Sequence, residues 1–204
     1  MEYEIGASVQ CIDGSAGRIV ALIANPVKLE LAHLAVEADH PAGARLVPVG
    51  LVRAATDAGI ELECSLAELS RLPEFHDVEF IPNVFGYGDP AATLAMPAYG
   101  LREGSVPSIV DRIPPGEVEI RRNDYLQATD GVIGRVEGLV ADGKGHITHV
   151  LLQEGHVWNR KEVAIPIASI EKIDADGIHV RLSKHELANL PELGIHPKEP
   201  PAST

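Results

Sequence analysis

Apolar and polar positions along this chain alternate in short runs that predict β-strands, and the runs come in two sets. Asp13-Gly14, Gly17-Arg18 and Leu22 recur 117 positions later as Asp130-Gly131, Gly134-Arg135 and Leu139. Asp-Gly suits a tight turn because glycine takes positive φ without a Cβ clash, so Arg18 to Ile23 and Arg135 to Val140 each predict a strand leaving a turn. The next strand is Leu31-Ala32-His33-Leu34-Ala35-Val36-Glu37, matched by Ile147-Thr148-His149-Val150-Leu151-Leu152-Gln153 at an offset of 116. Alternation puts Leu34 and Val36, like Val150 and Leu152, on an inward face and turns His33 and His149 away from it.

Three shorter strands follow in each set, at an offset of 118: Val47-Pro48 matches Ile165-Pro166, Val52 matches Ile170, and Gly59-Ile60 matches Gly177-Ile178. Each set closes on a stub helix, Ser65 to Leu72 before Pro73 and Ser183 to Leu190 before Pro191. Serine followed three positions later by glutamate (Glu68, Glu186) is a capping box, and the proline stops the helix after about two turns. Leu69 with Leu72, and Leu187 with Leu190, supply its buried side. The predicted fold is all-β: two small barrels, residues 1–75 and 118–195, each closed by a short helix, with a disordered tail at 196–204. Between them, residues 76–117 carry Pro82, Pro90, Pro97, Pro107, Pro114 and Pro115 and predict no regular element. Phe80, Phe85, Tyr87 and Tyr99 are more aromatic surface than a solvated spacer needs, so this connector is expected to pack over the barrels and cover a strand edge.

The second set combines Asp130-Gly131-x-x-Gly134, Ile147-Thr148-His149-Val150, Glu154-Gly155-His156, Val163-Ala164-Ile165-Pro166 and the closing Leu190-Pro191. In these residues it resembles the PRC-barrel family, over nearly all of its length. The first set departs from the pattern where Asp39-His40-Pro41-Ala42-Gly43-Ala44 stands in its middle. The resemblance implies a six-stranded barrel module, known from the cytoplasmic domain of the photosynthetic reaction-centre H subunit and from the ribosome maturation protein RimM. In both, the module binds other proteins rather than catalysing.

Charge and composition narrow the function classes. The 204 residues carry a formal net charge of -13, and the basic clusters are only Arg121-Arg122 and Arg160-Lys161, which disfavours direct nucleic-acid binding. No apolar run approaches the roughly 18 residues of a spanning helix, and Met1-Glu2-Tyr3-Glu4 lacks the basic region of a signal peptide, so the expected location is the cytoplasm, with no membrane span. Cys11 and Cys64 stand where the other set has Ala128 and Leu182, which marks them as small core residues rather than a redox pair.

Candidate chemistry is sparse. The glycines of Gly86-x-Gly88-x-x-Ala91 lack the strand and helix that a dinucleotide fingerprint requires. The second set holds His146, His149, His156, His179 and His185. A metal site there would rest on His146, His149 and His156, but residues three apart on a strand face opposite sides. If His33 and His149 met across an internal twofold axis, that contact would respond to pH. The only tryptophan, Trp158, lies in a polar stretch with His156, Asn159, Arg160 and Lys161, where the first set has Ala42. Tryptophan and arginine are typical interface anchors. The reading is therefore a non-enzymatic adaptor that binds another protein through Trp158, His156, Arg160, Lys161 and the connector residues Phe85 and Tyr87. It needs no cofactor and is compatible with a homodimer. The alternative is a small-molecule or metal-binding protein that uses the cleft between the barrels and the histidine-rich second set.

Overall fold

The computed structural model describes residues 1–38, 43–56, 58–83, 104–122, 124–154, 161–174 and 177–188. The first half forms strands β1 (Glu2–Glu4), β2 (Ser8–Cys11), β3 (Gly14–Asn25), β4 (Glu30–Ala38), β5 (Gly43–Pro48), β6 (Val52–Thr56) and β7 (Gly59–Leu62), then helix α1 (Leu66–Leu69). A hairpin of β8 (His76–Asn83) and β9 (Gly104–Asp111) follows. The second half runs β10 (Val118–Arg121), β11 (Tyr125–Ala128), β12 (Gly131–Ala141), β13 (Ile147–Glu154), β14 (Lys161–Pro166), β15 (Ile170–Asp174), β16 (Gly177–Val180) and α2 (Lys184–Ala188).

The predicted strands pair in the same order in both halves, β5-β4-β3-β2-β7-β6 and β14-β13-β12-β11-β16-β15, so the chain is all-β. The β2–β7 and β11–β16 contacts are parallel, Val9 facing Ile60 and Leu126 facing Ile178. Both paths are open among the described residues: no ladder joins β5 to β6 or β14 to β15. Leu34, Val36, Val150 and Leu152 are fully buried on the inner face, as the alternation requires.

Each sheet gains its seventh strand from the other half. β1 pairs with β12, placing Tyr3 opposite Leu139 and Glu4 opposite Gly138. β10 pairs with β3, placing Ile120 opposite Leu22 and Arg121 opposite Ala21. These registers are the same contact read twice, since Tyr3 and Ile120 differ by the 117 positions that separate Leu22 from Leu139. The chain changes sheet within one step: Ile5 N donates to Glu137 O at 2.8 Å and Gly6 N donates to Ile19 O at 2.8 Å. Gly6 makes that turn at φ +100, a conformation that side-chain-bearing residues rarely adopt.

The tips of the long hairpins meet under the same relation. Leu31 N donates to Gly145 O and Ile147 N to Leu29 O, both at 2.8 Å, and Glu30 faces His146 across an antiparallel bridge. The equivalent residues on the pseudo-twofold axis are thus Glu30 and His146, three positions before His33 and His149. The two halves share one core, in which Tyr3, Ile5 and Ile120 pack with Leu22, Leu34, Leu139 and Val150.

Both capping boxes form. Ser65 N donates to Glu68 at 2.8 Å while Ser65 Oγ accepts from Glu68 N, and Ser183 with Glu186 does the same. The turn aspartates do more than turn the chain: Asp13 accepts from Leu66 N at 2.8 Å and Asp130 from Lys184 N at 2.9 Å, so each Asp-Gly turn also caps the helix that ends its unit. Leu69 and Leu187 are buried as expected, whereas Leu190 lies outside the described residues.

The connector departs from expectation, because residues predicted to lack regular structure include two eight-residue strands paired end to end, from His76 opposite Asp111 to Asn83 opposite Gly104. Pro82 and Pro107 signalled a break, but each strand of a two-stranded ribbon has an outer edge where a missing N–H is tolerated. The edge of β5 is covered just ahead of the connector: Leu46 N donates to Pro73 O at 2.9 Å and Phe75 N to Ala44 O at 2.8 Å. Phe75 then closes a second, smaller core against Ala21, Ile23, Ala35 and Leu46 on the outer face of the first sheet. The tail at 196–204 lies outside the described residues.

Two outcomes test this arrangement. Replacing the buried Tyr3 by Ala is expected to cost about 3 kcal/mol in urea denaturation and to lower hydrogen-exchange protection at residues 138–141 in the distant half. The bonds from Ser65 and Ser183 hold the Glu68 and Glu186 carboxyls below the usual glutamate value. A depressed folded value gives stability that is present above an unfolded pKa of about 4.3 and lost as pH falls through the folded one. The double variant Glu68→Gln, Glu186→Gln should therefore lose less melting temperature than wild type between pH 6 and pH 3 in a calorimetric series.

Candidate interaction surfaces

Residues 155–160 join Glu154 to Lys161, which pair across the β13–β14 ladder. The corresponding connection in the first half joins Ala38 to Gly43, also a ladder pair. The connection that contains Trp158 in sequence is thus six residues long, against four in the first half. Trp158, His156 and Arg160 lie outside the described residues, as do Phe85 and Tyr87. Lys161 opens β14, placed by its backbone alone.

The described histidines do not converge. His146 has a carboxylate on each side of its ring, Asp142 at 3.1 Å from Nδ1 and Glu30 at 3.4 Å from Nε2. Nitrogens that point in different directions cannot bring both carboxylates to one ion. Asp142 is held by the backbone N–H groups of Lys144 and His146, which lower its carboxyl below the usual range. His149 Nδ1 sits 3.1 Å from Thr148 Oγ1, and His179 Nε2 lies 3.5 Å from Asp174. Among the described residues no three His, Cys, Asp or Glu side chains form a metal-ion cluster.

The Arg121-Arg122 pair is engaged within the fold. Arg121 contacts Glu119 at 2.5 Å and also Asp111, and Arg122 reaches the buried Glu137 at 3.5 Å. Burial raises the Glu119 carboxyl, against the opposing pull of Arg121.

The outer face of the first sheet carries a cavity of about 260 Å³. Its lining is mostly apolar, from Leu46, Pro48, Pro73, Ile113 and Pro114, and His33, Glu74 and Arg112 also border it. His33 Nδ1 is 3.1 Å from Glu117, a bond that ties β4 to the segment entering β10. Glu74 pairs with Arg45 at 3.0 Å, and Arg45 also donates to Leu72 O. The one available signal was the outward-facing His33, since the cavity is assembled from segments distant in sequence.

Cys11 and Cys64 are both buried, with Sγ atoms 4.0 Å apart. They pack in the shared core, as the comparison with Ala128 and Leu182 predicted. Burial, reinforced by the neighbouring Cys64, pushes the Cys11 thiol up to about 12, and burial raises Cys64 as well.

Comparison with protein-family models finds none that matches the chain, and comparison with curated proteins finds no match either. Among the described residues, no helix is long and apolar enough to cross a membrane.

The raised thiols make a direct expectation, since the thiolate is the reacting species. At pH 8 native protein should react with iodoacetamide at least roughly a hundredfold more slowly than protein in 8 M urea, read by mass spectrometry of Cys11 and Cys64. Equal rates would show that the pair is not held in the core.

Proposed function

We propose that this protein is a non-enzymatic, cytoplasmic interaction scaffold built from two PRC-like barrel units, which binds a protein partner through the residues around Trp158 and the connector. The observation that carries this reading is the β8–β9 ribbon, whose strands pair with each other and with no other strand among the described residues. An isolated two-stranded ribbon is marginally stable in water, and its outer edges are templates for an added strand. Strand addition is a common mode of peptide recognition: main-chain bonds give affinity and alternate side chains give selectivity. The ribbon's root is fixed, because Arg112 N donates to Phe75 O at 2.7 Å and His76 meets Asp111 at 2.7 Å. A fixed root limits the freedom lost when a partner binds.

A second reading, small-molecule binding, is favoured by the cavity beside His33. That cavity lies on the outer face of the first sheet rather than in the inter-barrel cleft expected from sequence. Its apolar walls suit a small hydrophobic body with one polar group.

Affinity capture from native extract with nuclease treatment separates the readings. Wild type is expected to retain a nuclease-resistant protein that both Trp158→Ala and the ribbon variant Val78→Pro lose. Capture of nothing by wild type, together with ligand-induced NMR shifts at His33, would replace the scaffold reading with the small-molecule one.

A further inference from the structure

We propose that the surface joining the two halves is a recognition site for a second unit of the same kind, so that a half takes its complement from any copy of this chain, in cis or in trans. The connector then serves to raise local concentration and is not what holds the halves together. Two groups of contacts obey one pseudo-twofold relation. The exchanged strands use matched registers, with Tyr3 on Leu139 and Ile120 on Leu22. The hairpin tips use matched bonds, Leu31 N to Gly145 O and Ile147 N to Leu29 O. An interface of equivalent patches related by a twofold is isologous, the geometry of a dimer that closes on itself.

Each half is incomplete without the other. Without β1, the stretch of β12 from Gly138 to Val140 would expose main-chain groups, and β3 would do so without β10. Tyr3 and Ile120, each 1% exposed, would surrender their burial to water. The pairing also carries its own selectivity. A Cβ at Gly138 would lie 2.3 Å from Tyr3 O, so this slot requires glycine for the approaching strand, whereas its counterpart is Ala21. On the axis, Glu30 meets His146 at 3.4 Å, while two first halves would set Glu30 against Glu30. Unlike halves therefore fit better than like ones.

The test uses the full chain with a protease site inserted at Gly116, an exposed position where a Cβ would have no atom within 4 Å. A cut there leaves the β8–β9 ribbon intact on the first half. After cleavage of the folded protein, native mass spectrometry is expected to show a one-to-one complex of the halves. Mixing it with cleaved, isotopically heavy protein should give complexes of mixed mass, joining a first half from one copy to a second half from another. Halves that fall apart on cleavage overturn the proposal, and so do halves that stay together but never trade partners after brief exposure to subdenaturing urea. Gly138→Ala in the cleaved protein should weaken the association by at least roughly tenfold, while Gly50→Ala, which meets nothing within 4 Å, should leave it unchanged. Equal behaviour of the two variants would remove the exchanged strand from the recognition site.

Discussion

The structure depends on the reciprocal loan of one short strand. β1 has three residues and β10 four, too few to hold a position alone, yet each places a large apolar side chain in a core that it does not leave. Because Tyr3 and Ile120 each complete the other half, neither half can lose its core without exposing its neighbour's. The shared apolar cluster follows from that loan, and so does the sharp reversal at Gly6, where the chain must cross from one sheet to the other. Two small units, each with a modest core, are thereby joined into a larger buried volume, which favours the folded state of short chains.

Much of the fold was legible because its signals are local. Asp-Gly turns, strand alternation and capping boxes depend on residues a few positions apart, and having two copies separated what the fold requires from what one copy merely contains. The exchanged strands escaped for the opposite reason. Glu2-Tyr3-Glu4 and Val118-Glu119-Ile120 alternate correctly, but alternation shows a strand and not its partner, and the partners lie more than ninety residues away. The repeat held a clue, since Glu2-Tyr3 and Glu119-Ile120 stand 117 positions apart like the turns. The β8–β9 ribbon was hidden by prolines that read as breaks, and the outer-face cavity by its assembly from β4, β5 and the approach to β10. Of the candidate site, the sequence offered residue types, and the ladders fix only the strand ends Glu154 and Lys161 on either side of Trp158.

The two halves share one strand order and differ in the sequences that join and follow their strands. Phe75 and the segment from Pro73 cover the outer face and edge of the first sheet, and the cavity forms beside them. The second half has the longer connection between its two central strands, six residues against four, and its sequence there holds the sole tryptophan. Duplication gave one framework twice, and the differences collect where the ladders do not constrain the chain.

The root of the ribbon has a further consequence. Since Phe75 and Arg112 are joined by a hydrogen bond, the chain enters β8 and leaves β9 at one point, and these paired strands branch from the body there. Their length is decoupled from the geometry of the rest. Such a branch is a natural insertion port, where a longer arm or a whole additional domain can be carried without moving either sheet.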